Sequence, residues 1–348
     1  MTNSKLAQNI LSQGESLAFV LQHQCGDGAS ALARASQLLH SGKRVVITGM
    51  GASLFASIPL EYALCSMGID AVAIEAGELL HYRMPTLRNA VTIIVSRSGE
   101  SIEITRMLQA LKGQTPIIAI CNEPQSSLSR SANISILIGS HDDDYVAVQT
   151  YTGTLLTQYL LANAVAGTEP AAQKELRALL PAFTQLVQRS YSDSNSWDEF
   201  LRAASPIFLV ARGPSCASSY EGALLFNEVA KTAAVGMAAG SFRHGPVEVV
   251  DKNFVGLLFA PQGPTHQLNM ALANDLATFG GRIRILGPSG ILAELPQIPE
   301  GLAPIFEIVP VQLAALRLAQ LKGIAPGTFR YAPRVAVDEA NFNPLKES

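Results

Sequence analysis

The sequence predicts an α/β protein made of two tandem units, each a parallel sheet flanked by helices in a flavodoxin-like three-layer sandwich. Two observations support this prediction. Short apolar runs alternate with helix-length segments along most of the chain. The runs also fall into two sets at a nearly constant offset, which indicates an internal duplication and a pseudo-twofold repeat.

The apolar runs are predicted strands, because each is ended by Gly, Ser or Asn and is rich in small or β-branched residues. The first set covers 44–49, 90–96 and 115–121, and the second covers 206–213, 254–263 and 281–290. Ser53 aligns with Cys216 at an offset of 163 residues, and Gly99 aligns with Gly263 at 164. Since parallel strands need helical crossovers, both sets are expected to form sheets covered on both faces.

Composition and charge argue against several classes of function. The chain has 348 residues, 48% of them hydrophobic, which is enough for two domains. A net charge of −3 and the lack of any Lys/Arg-rich run make nucleic acid an unlikely partner. The first residues, MTNSKLAQNI, do not resemble a signal peptide, and no continuous apolar run is long enough to cross a bilayer. We therefore expect a cytoplasmic protein with no membrane partner.

No metal or cofactor is predicted. The four cysteines, Cys25, Cys65, Cys121 and Cys216, show no ligand spacing and are expected to be free and mostly buried. Three consecutive acids in HDDDY (141–145) could suggest a metal site. They stand directly before a helical segment, however, and are predicted to favour its N-terminus instead.

Three serines, an arginine and a glycine follow the second apolar run, in SRSGES (96–101). Apolar residues recur at helical spacing from Ile104 onward, so this turn is predicted to lead into a helix with Ser98 or a neighbour as the N-cap. Unpaired N–H groups and a partial positive charge at a helix N-terminus suit a phosphate. Capping alone would also explain the serines, and Arg97 could either clamp a phosphate or pair with Glu100 or Glu103.

A glycine turn, GMGAS (49–53), ends the first strand. A dinucleotide fingerprint would require glycine where Leu54 stands, so NAD binding is not favoured. Gly51 and Ser53 can instead serve the same phosphate, because neighbouring parallel strands bring their C-terminal ends together. The matching turns of the second set, ARGPSC and APQGPT, have prolines in place of free amides. Only the first unit is therefore predicted to bind phosphate.

Candidates for acid–base chemistry lie in the second set. Glu221 and Glu228 are seven residues apart in SSYEGALLFNEVAK and share one stripe of a helix. Partial burial would raise the pKa of either carboxyl towards that of a general base, although Lys231 could simply form a surface ion pair with Glu228. His244, in SFRHGP, is either an idle exposed loop residue or a proton shuttle.

Four motifs in this order, SRSGES, EGALLFNE, AAGSFRHGP and VPVQLAALRLAQLKG, resemble the isomerase half of glucosamine-6-phosphate synthase and, more widely, the double sugar-isomerase (SIS) family. The resemblance covers residues 25–335. It implies two SIS domains, 25–166 for phosphate binding and 195–325 for the acid–base residues. An N-terminal helix over 1–24 and a C-terminal tail over the active site, 326–348, would flank them. It further implies a homodimer with shared sites.

The resemblance also assigns roles to single positions. The phosphate would be bound by Gly51, Ser53, Ser96, Arg97, Ser98 and Ser101, and the sugar would be lined by Val146, Val148 and Gln149. Glu228 falls where the family glutamate moves a proton between C1 and C2. His244 falls where a histidine of the neighbouring subunit assists ring opening, and Glu221 matches a second family glutamate of that helix.

Departures from the family pattern bear on the chemistry. Arg97 stands in place of a glutamine, Leu225 in place of a helix lysine, and Arg334 in place of the tail lysine that binds the ketose. An arginine stays protonated and cannot form a Schiff base. The residues before Ser53 leave no room for a glutaminase domain, so a stand-alone double SIS unit is expected.

The expected activity is that of a glucosamine-6-phosphate deaminase, which is both an isomerase and a hydrolase of amino sugar metabolism and releases fructose 6-phosphate and ammonia. Three alternatives remain open: another aldose/ketose phosphosugar isomerase, a fructosamine-phosphate deglycase, and a sugar-phosphate sensor without turnover.

Overall fold

The computed structural model describes residues 4–111, 113–202, 204, 206–331 and 336 of the chain. It divides into two compact units. The first unit comprises Glu15–Ala178 with the residues from Phe329 onward, and the second comprises Leu179–Thr328 with the residues up to Gly14. Neither unit is continuous in sequence.

The first unit contains a parallel sheet in the order β2-β1-β3-β4-β5 among the described residues, which is the flavodoxin-like order. Its strands are β1 (Arg44–Gly49), β2 (Ala71–Glu75), β3 (Ala90–Val95), β4 (Ile117–Cys121) and β5 (Ile134–Leu137). The β-branched side chains of β3 are all buried, because helices cover both faces of the sheet.

The helices that accompany this sheet connect its strands or lie against them. They are α2 (Gln13–Cys25), α3 (Ala29–Leu39), α4 (Ala52–Phe55), α5 (Ile58–Ser66), α6 (Ala76–Glu78), α7 (Ile102–Leu111), α8 (Ser127–Ser131) and α9 (Gln149–Ala166). Helix α10 (Glu169–Ser192) begins in the first unit and continues into the second. In α7 the apolar stripe of Ile104, Met107 and Leu111 packs against Val46 and Ile94 of the sheet.

The second unit contains a parallel sheet in the order β7-β6-β8-β9 among the described residues. Its strands are β6 (Ile207–Ala211), β7 (Ala234–Ala238), β8 (Val255–Phe259) and β9 (Arg282–Leu286). Its helices are α1 (Lys5–Leu11), α11 (Trp197–Phe200), α12 (Cys216–Ala230), α13 (Ala239–Arg243), α14 (His266–Thr278) and α15 (Ala303–Leu321). On one face of the sheet, Phe208 stacks on Phe254 at 5.2 Å between ring centroids and meets Phe242 edge-on.

The predicted fold class is confirmed, since both sheets are parallel and flanked by helices. All six predicted strands occur, and the three of each set are neighbours in the same order, β1-β3-β4 and β6-β8-β9. Three strands, β2, β5 and β7, were not predicted. They are edge strands of four or five residues, and β7 (AVGMA) is only half-buried, so none forms a conspicuous apolar run.

Helix α15 is the most apolar long helix of the second unit. Among the described residues, Glu300–Leu321 alone has the length and hydropathy of a membrane-spanning helix, but 94% of that window is buried inside the structure. It packs against α12 and α1, and Phe306 meets Phe183 edge-on at 5.4 Å. This stretch is therefore a core helix.

The four cysteines are free, as predicted, but they are less buried than expected. Cys121 and Cys216 are buried, Cys25 is half-buried and Cys65 is exposed. Cys65 lies near the end of α5, where that helix turns towards the edge strand β2. The expectation that the thiols are mostly buried was therefore wrong for Cys65.

Candidate active site

The turns that follow β1 and β3 lie side by side in the first unit. The two strands are hydrogen-bonded neighbours, and a Cβ added to Gly49 would come 2.7 Å from the carbonyl oxygen of Val95. Gly51 has a positive φ of 49° and precedes α4, whose second residue is Ser53. The glycines thus permit a close approach of the two turns at the C-terminal edge of the sheet, where α/β proteins bind ligands.

The serine turn 96–101 is held by its own side chains. Ser96 Oγ accepts a hydrogen bond from the N–H of Gly99 at 3.1 Å, and Ser98 Oγ accepts one from Glu100 at 3.3 Å. Gly99 has a φ of 65°, and an added Cβ would lie 2.6 Å from Ser126 Cβ, so glycine is required here. Helix α7 begins at Ile102, which places Ser101 rather than Ser98 directly before it.

Arg97 has no ion pair with Glu100 or Glu103 among the residues that the structure describes. Glu100 Oε1 instead accepts the N–H of Ser127 at 2.6 Å. The Nη1 atom of Arg97 is buried and has no hydrogen-bond partner within the described part of the chain. Because a buried donor left unpaired costs about 1–3 kcal/mol, and more for a charged group, this nitrogen is suited to an incoming anion.

The predicted sugar-lining segment stands at the start of α9. Val146, Val148 and Gln149 are buried, with 0–3% of their surface exposed. Asp143 fixes this segment, because its carboxylate accepts hydrogen bonds from the N–H groups of Val148 (2.9 Å), Gln149 (3.2 Å) and Thr150 (2.8 Å), and from Thr150 Oγ1 (2.7 Å). The prediction that the acids of 141–145 favour a helix N-terminus is thus confirmed.

The described part of the tail contacts both of these segments. The carbonyl of Ala336 accepts a hydrogen bond from the N–H of Ile102 at 2.9 Å, beside Ser101. The ring of Phe329 lies 5.2 Å from that of Tyr145. Arg334, the predicted counterpart of a tail lysine, lies outside the described residues.

Both predicted glutamates are carried by α12 in the second unit. Glu221 is buried, and Glu228, two turns further on, is half-buried. Helix α12 ends at Ala230 and is followed by its C-cap Lys231, which has a left-handed φ of 48°. The Lys231 ammonium donates to the backbone carbonyls of Glu228 and of Thr328, the latter at 2.6 Å. This lysine therefore ties the end of α12 to the segment that follows α15.

His244 lies on the exposed turn after α13, as predicted, and donates its backbone N–H to Ser241 at 3.1 Å. Glu228 and His244 stand at opposite ends of β7. Asn227 Oδ1, next to Glu228, accepts the N–H of Ala234 at the start of that strand, and α13 follows its last residue. Five residues of strand span about 16 Å. Within this unit, α12 and α13 do not bring the two side chains together.

Sequence reasoning overlooked one further acid of the second unit, Glu307, which is fully buried in α15. The available signal was a lone carboxyl within the apolar run IFEIV. Across the described residues, no group of three or more His, Cys, Asp or Glu side chains is placed to hold a metal ion.

Comparison with known proteins adds sequence relatives. The SIS domain family matches the chain twice, over residues 38–166 and 200–320. An isomerizing glutamine–fructose-6-phosphate aminotransferase of Pyrococcus horikoshii is 29% identical over 307 residues, which cover 84% of this chain and 51% of that protein. The Escherichia coli K12 protein of the same name is 26% identical over 309 residues, covering 83% and 51%. The chain thus spans about half the length of the curated relatives it matches.

Solved structures show a shared fold. The C-terminal domain of a glucosamine-fructose-6-phosphate aminotransferase from Francisella tularensis has a TM-score of 0.82 at 20% identity, covering 94% of this chain and 98% of that one. A glucosamine-6-phosphate deaminase from Thermotoga maritima gives 0.78 at 20% identity, with coverage of 95% and 99%. The tagatose-6-phosphate ketose/aldose isomerase of Escherichia coli gives 0.78 at 19% identity, with coverage of 99% and 98%. Because the two family matches together span more than half of its residues, this chain belongs to the SIS domain family.

Proposed function

We propose that this protein is a phosphosugar isomerase that acts as a glucosamine-6-phosphate deaminase. The observation that carries the proposal is the close pairing of the turns after β1 and β3, whose residues suit an anion. They combine Gly51 and Ser53 with the serine turn, and they include the buried, unpaired Nη1 of Arg97. The sequence relatives support the substrate class, since their names describe isomerization of a hexose 6-phosphate.

In the proposed reaction, the turns bind the phosphate and leave C1 and C2 of the open-chain sugar to the acid–base residues. Glu228 removes the proton from C2 and returns it to C1, while a proton passes from the amine nitrogen to the C1 oxygen, so that the aldehyde becomes an alcohol and the C2 amine becomes an imine. Water adds to C2, the C–N bond breaks, and fructose 6-phosphate and ammonia leave. Donors from the turns and from the start of α9 orient the substrate, and no external oxidant or reductant is needed, because C1 is reduced as C2 is oxidised.

A homodimer is part of this proposal. Glu228 and His244 lie at opposite ends of β7, so a site that uses both could take the histidine from a second copy. Mixing Glu228→Gln with His244→Ala tests this directly. If sites are shared, random exchange restores about a quarter of wild-type activity, because half of the dimers are hybrids with one intact site of two. Activity that stays absent after subunit exchange would contradict shared sites.

The deciding experiment supplies glucosamine 6-phosphate to the purified protein without glutamine, metal or nucleotide. We expect equal amounts of ammonia and fructose 6-phosphate. Glu228→Gln should bind the sugar phosphate but not convert it, and the exposed Glu199→Gln, in the same unit, serves as the matched control. Interconversion of an aldose and a ketose phosphate without ammonia would identify another isomerase, and binding without any turnover would identify a sensor.

A further inference from the structure

A second crevice lies at the C-terminal edge of the sheet in the second unit. It is a cavity of about 390 Å³, a size typical of small-molecule sites. Its lining comes from the turns after β8 and β9, from the loop that leads to α15, and from α15 itself: Pro261, Gln262, Gly287, Pro288, Leu292, Leu295, Pro296, Gln297, Ile298, Ala303 and Glu307. The carboxyl edge of a parallel sheet is the usual place for a ligand, yet nothing in the proposed reaction uses this one.

Glu307 gives this cavity its chemistry. Its carboxyl group is fully buried, and Oε1 accepts a hydrogen bond from Ser215 Oγ at 3.0 Å. Oε2 has no hydrogen-bond partner within the described part of the chain. Burial and, to a smaller extent, the charge of Glu300 raise the pKa of Glu307 to about 8, whereas the neighbouring hydroxyls of Ser215 and Ser218 favour its ionised form. A buried oxygen without a donor is costly, so a ligand that supplies a donor would be favoured there.

A second carboxyl stands close to the first. Glu300 lies seven residues before Glu307, and burial raises its pKa as well. It covers the turn after β8, since a Cβ added to Gly263 would come 2.6 Å from the Glu300 carboxyl carbon. Among the described lining residues, Glu307 is the only one that can ionise, and it carries its negative charge above about pH 8. The crevice is therefore acidic and otherwise mostly apolar.

These features limit what can bind. A phosphate is disfavoured by the two acids and by the prolines that replace amide donors in the turns. A divalent metal would need several oxygen ligands, whereas three prolines, two leucines and an isoleucine form most of the walls. An ammonium group on an apolar body would supply both the missing donor and a countercharge.

We propose that this cavity binds a small organic ammonium compound, with the ammonium group on Glu307 Oε2 and the body of the ligand against the proline and leucine walls. The site is built from residues of the second unit alone and does not depend on the proposed reaction.

The test uses cyclohexylammonium and its neutral isostere cyclohexanol, with binding measured at about pH 8.5 by ligand-observed NMR and calorimetry. We expect cyclohexylammonium to bind at least about tenfold more tightly than cyclohexanol, and Glu307→Gln to weaken its binding about tenfold. Gln297→Trp should abolish binding by filling the cavity. Glu199→Gln, which changes an exposed acid of the same unit, should bind as wild type does.

Three outcomes would overturn the proposal: no binding of cyclohexylammonium at millimolar concentration, equal binding of the alcohol, or binding that survives Gln297→Trp. Circular dichroism establishes that each variant is folded. If Glu307→Gln does not fold, the comparison of the two probes and the Gln297→Trp variant still decides the question.

Discussion

Replacing Glu307 by glutamine should change how the stability of the second unit depends on pH. The pKa of this carboxyl is raised from 4.5 to about 8 by burial, so between these pH values the folded state holds a proton that the unfolded state has lost. Stability from this group is fully present below pH 4.5 and is lost as the pH rises through about 8. At about 1.4 kcal/mol per pH unit, the loss reaches at most about 5 kcal/mol, and structural relaxation around the ionised group reduces it.

Glutamine has the same shape, keeps an oxygen for Ser215 and does not titrate. The free energy of unfolding of Glu307→Gln should therefore gain several kcal/mol relative to wild type between about pH 5 and about pH 9. Urea unfolding followed by the fluorescence of Trp197 measures this, because Trp197 is the one tryptophan of the sequence and is buried in the second unit. Glu199→Gln provides the control. Parallel pH dependences in Glu307→Gln and wild type would refute the argument.

Three further predictions concern the first unit. Gly99→Ala would place a side chain at a left-handed φ and against Ser126. It should therefore lower the unfolding free energy by about 1–3 kcal/mol and raise the KM for the sugar phosphate. Unchanged values would show that the turn relaxes. Arg97→Met should raise the KM for the sugar phosphate about tenfold with little change in kcat, measured from initial rates. An unchanged KM would argue against a contact between Arg97 and the phosphate. Asp143→Asn converts one acceptor oxygen into a donor at the start of α9 and should lower the unfolding free energy by about 1–3 kcal/mol. A thermal unfolding midpoint equal to that of wild type would contradict the role of Asp143 in holding the start of α9.

Sequence patterns located the interior of the fold better than its edges. The central strands β1, β3, β6 and β8 are continuous apolar runs because both of their faces are covered by helices. Edge strands such as β7 have a neighbouring strand on one side only and are partly exposed, and three of the four edge strands were missed, β9 being the exception. The positions of the turns after β1 and β3 were predictable for a different reason, since strand ends and helix starts are marked by Gly and Ser.

Side-chain partners were not predictable in the same way. From the spacing of SRSGES, Arg97 could either contact a phosphate or pair with a nearby glutamate. Three-dimensional contacts were needed to show that Glu100 accepts the N–H of Ser127 and does not pair with Arg97. The importance of Asp143 among three consecutive acids likewise depends on which carboxylate points at the helix. Such choices are decided by burial and by neighbours distant in sequence, and neither is encoded in local spacing.

The two units show how a duplicated fold can acquire opposite electrostatics. Their sheets share one strand order over four strands, so corresponding turns lie at the same edge of each sheet, and the chemical character of that edge is set by only a few turn residues. In the first unit, glycines with positive φ shape the turns, and Arg97 adds a positive charge beside the serines. In the second, prolines remove amide donors, and the two acids of the α15 region, Glu300 and Glu307, approach the turns. The strand order specifies where a ligand can bind, and the turns specify the sign of its charge. A phosphate at the turns of the first unit and an ammonium compound in the cavity of the second would be the direct chemical consequence.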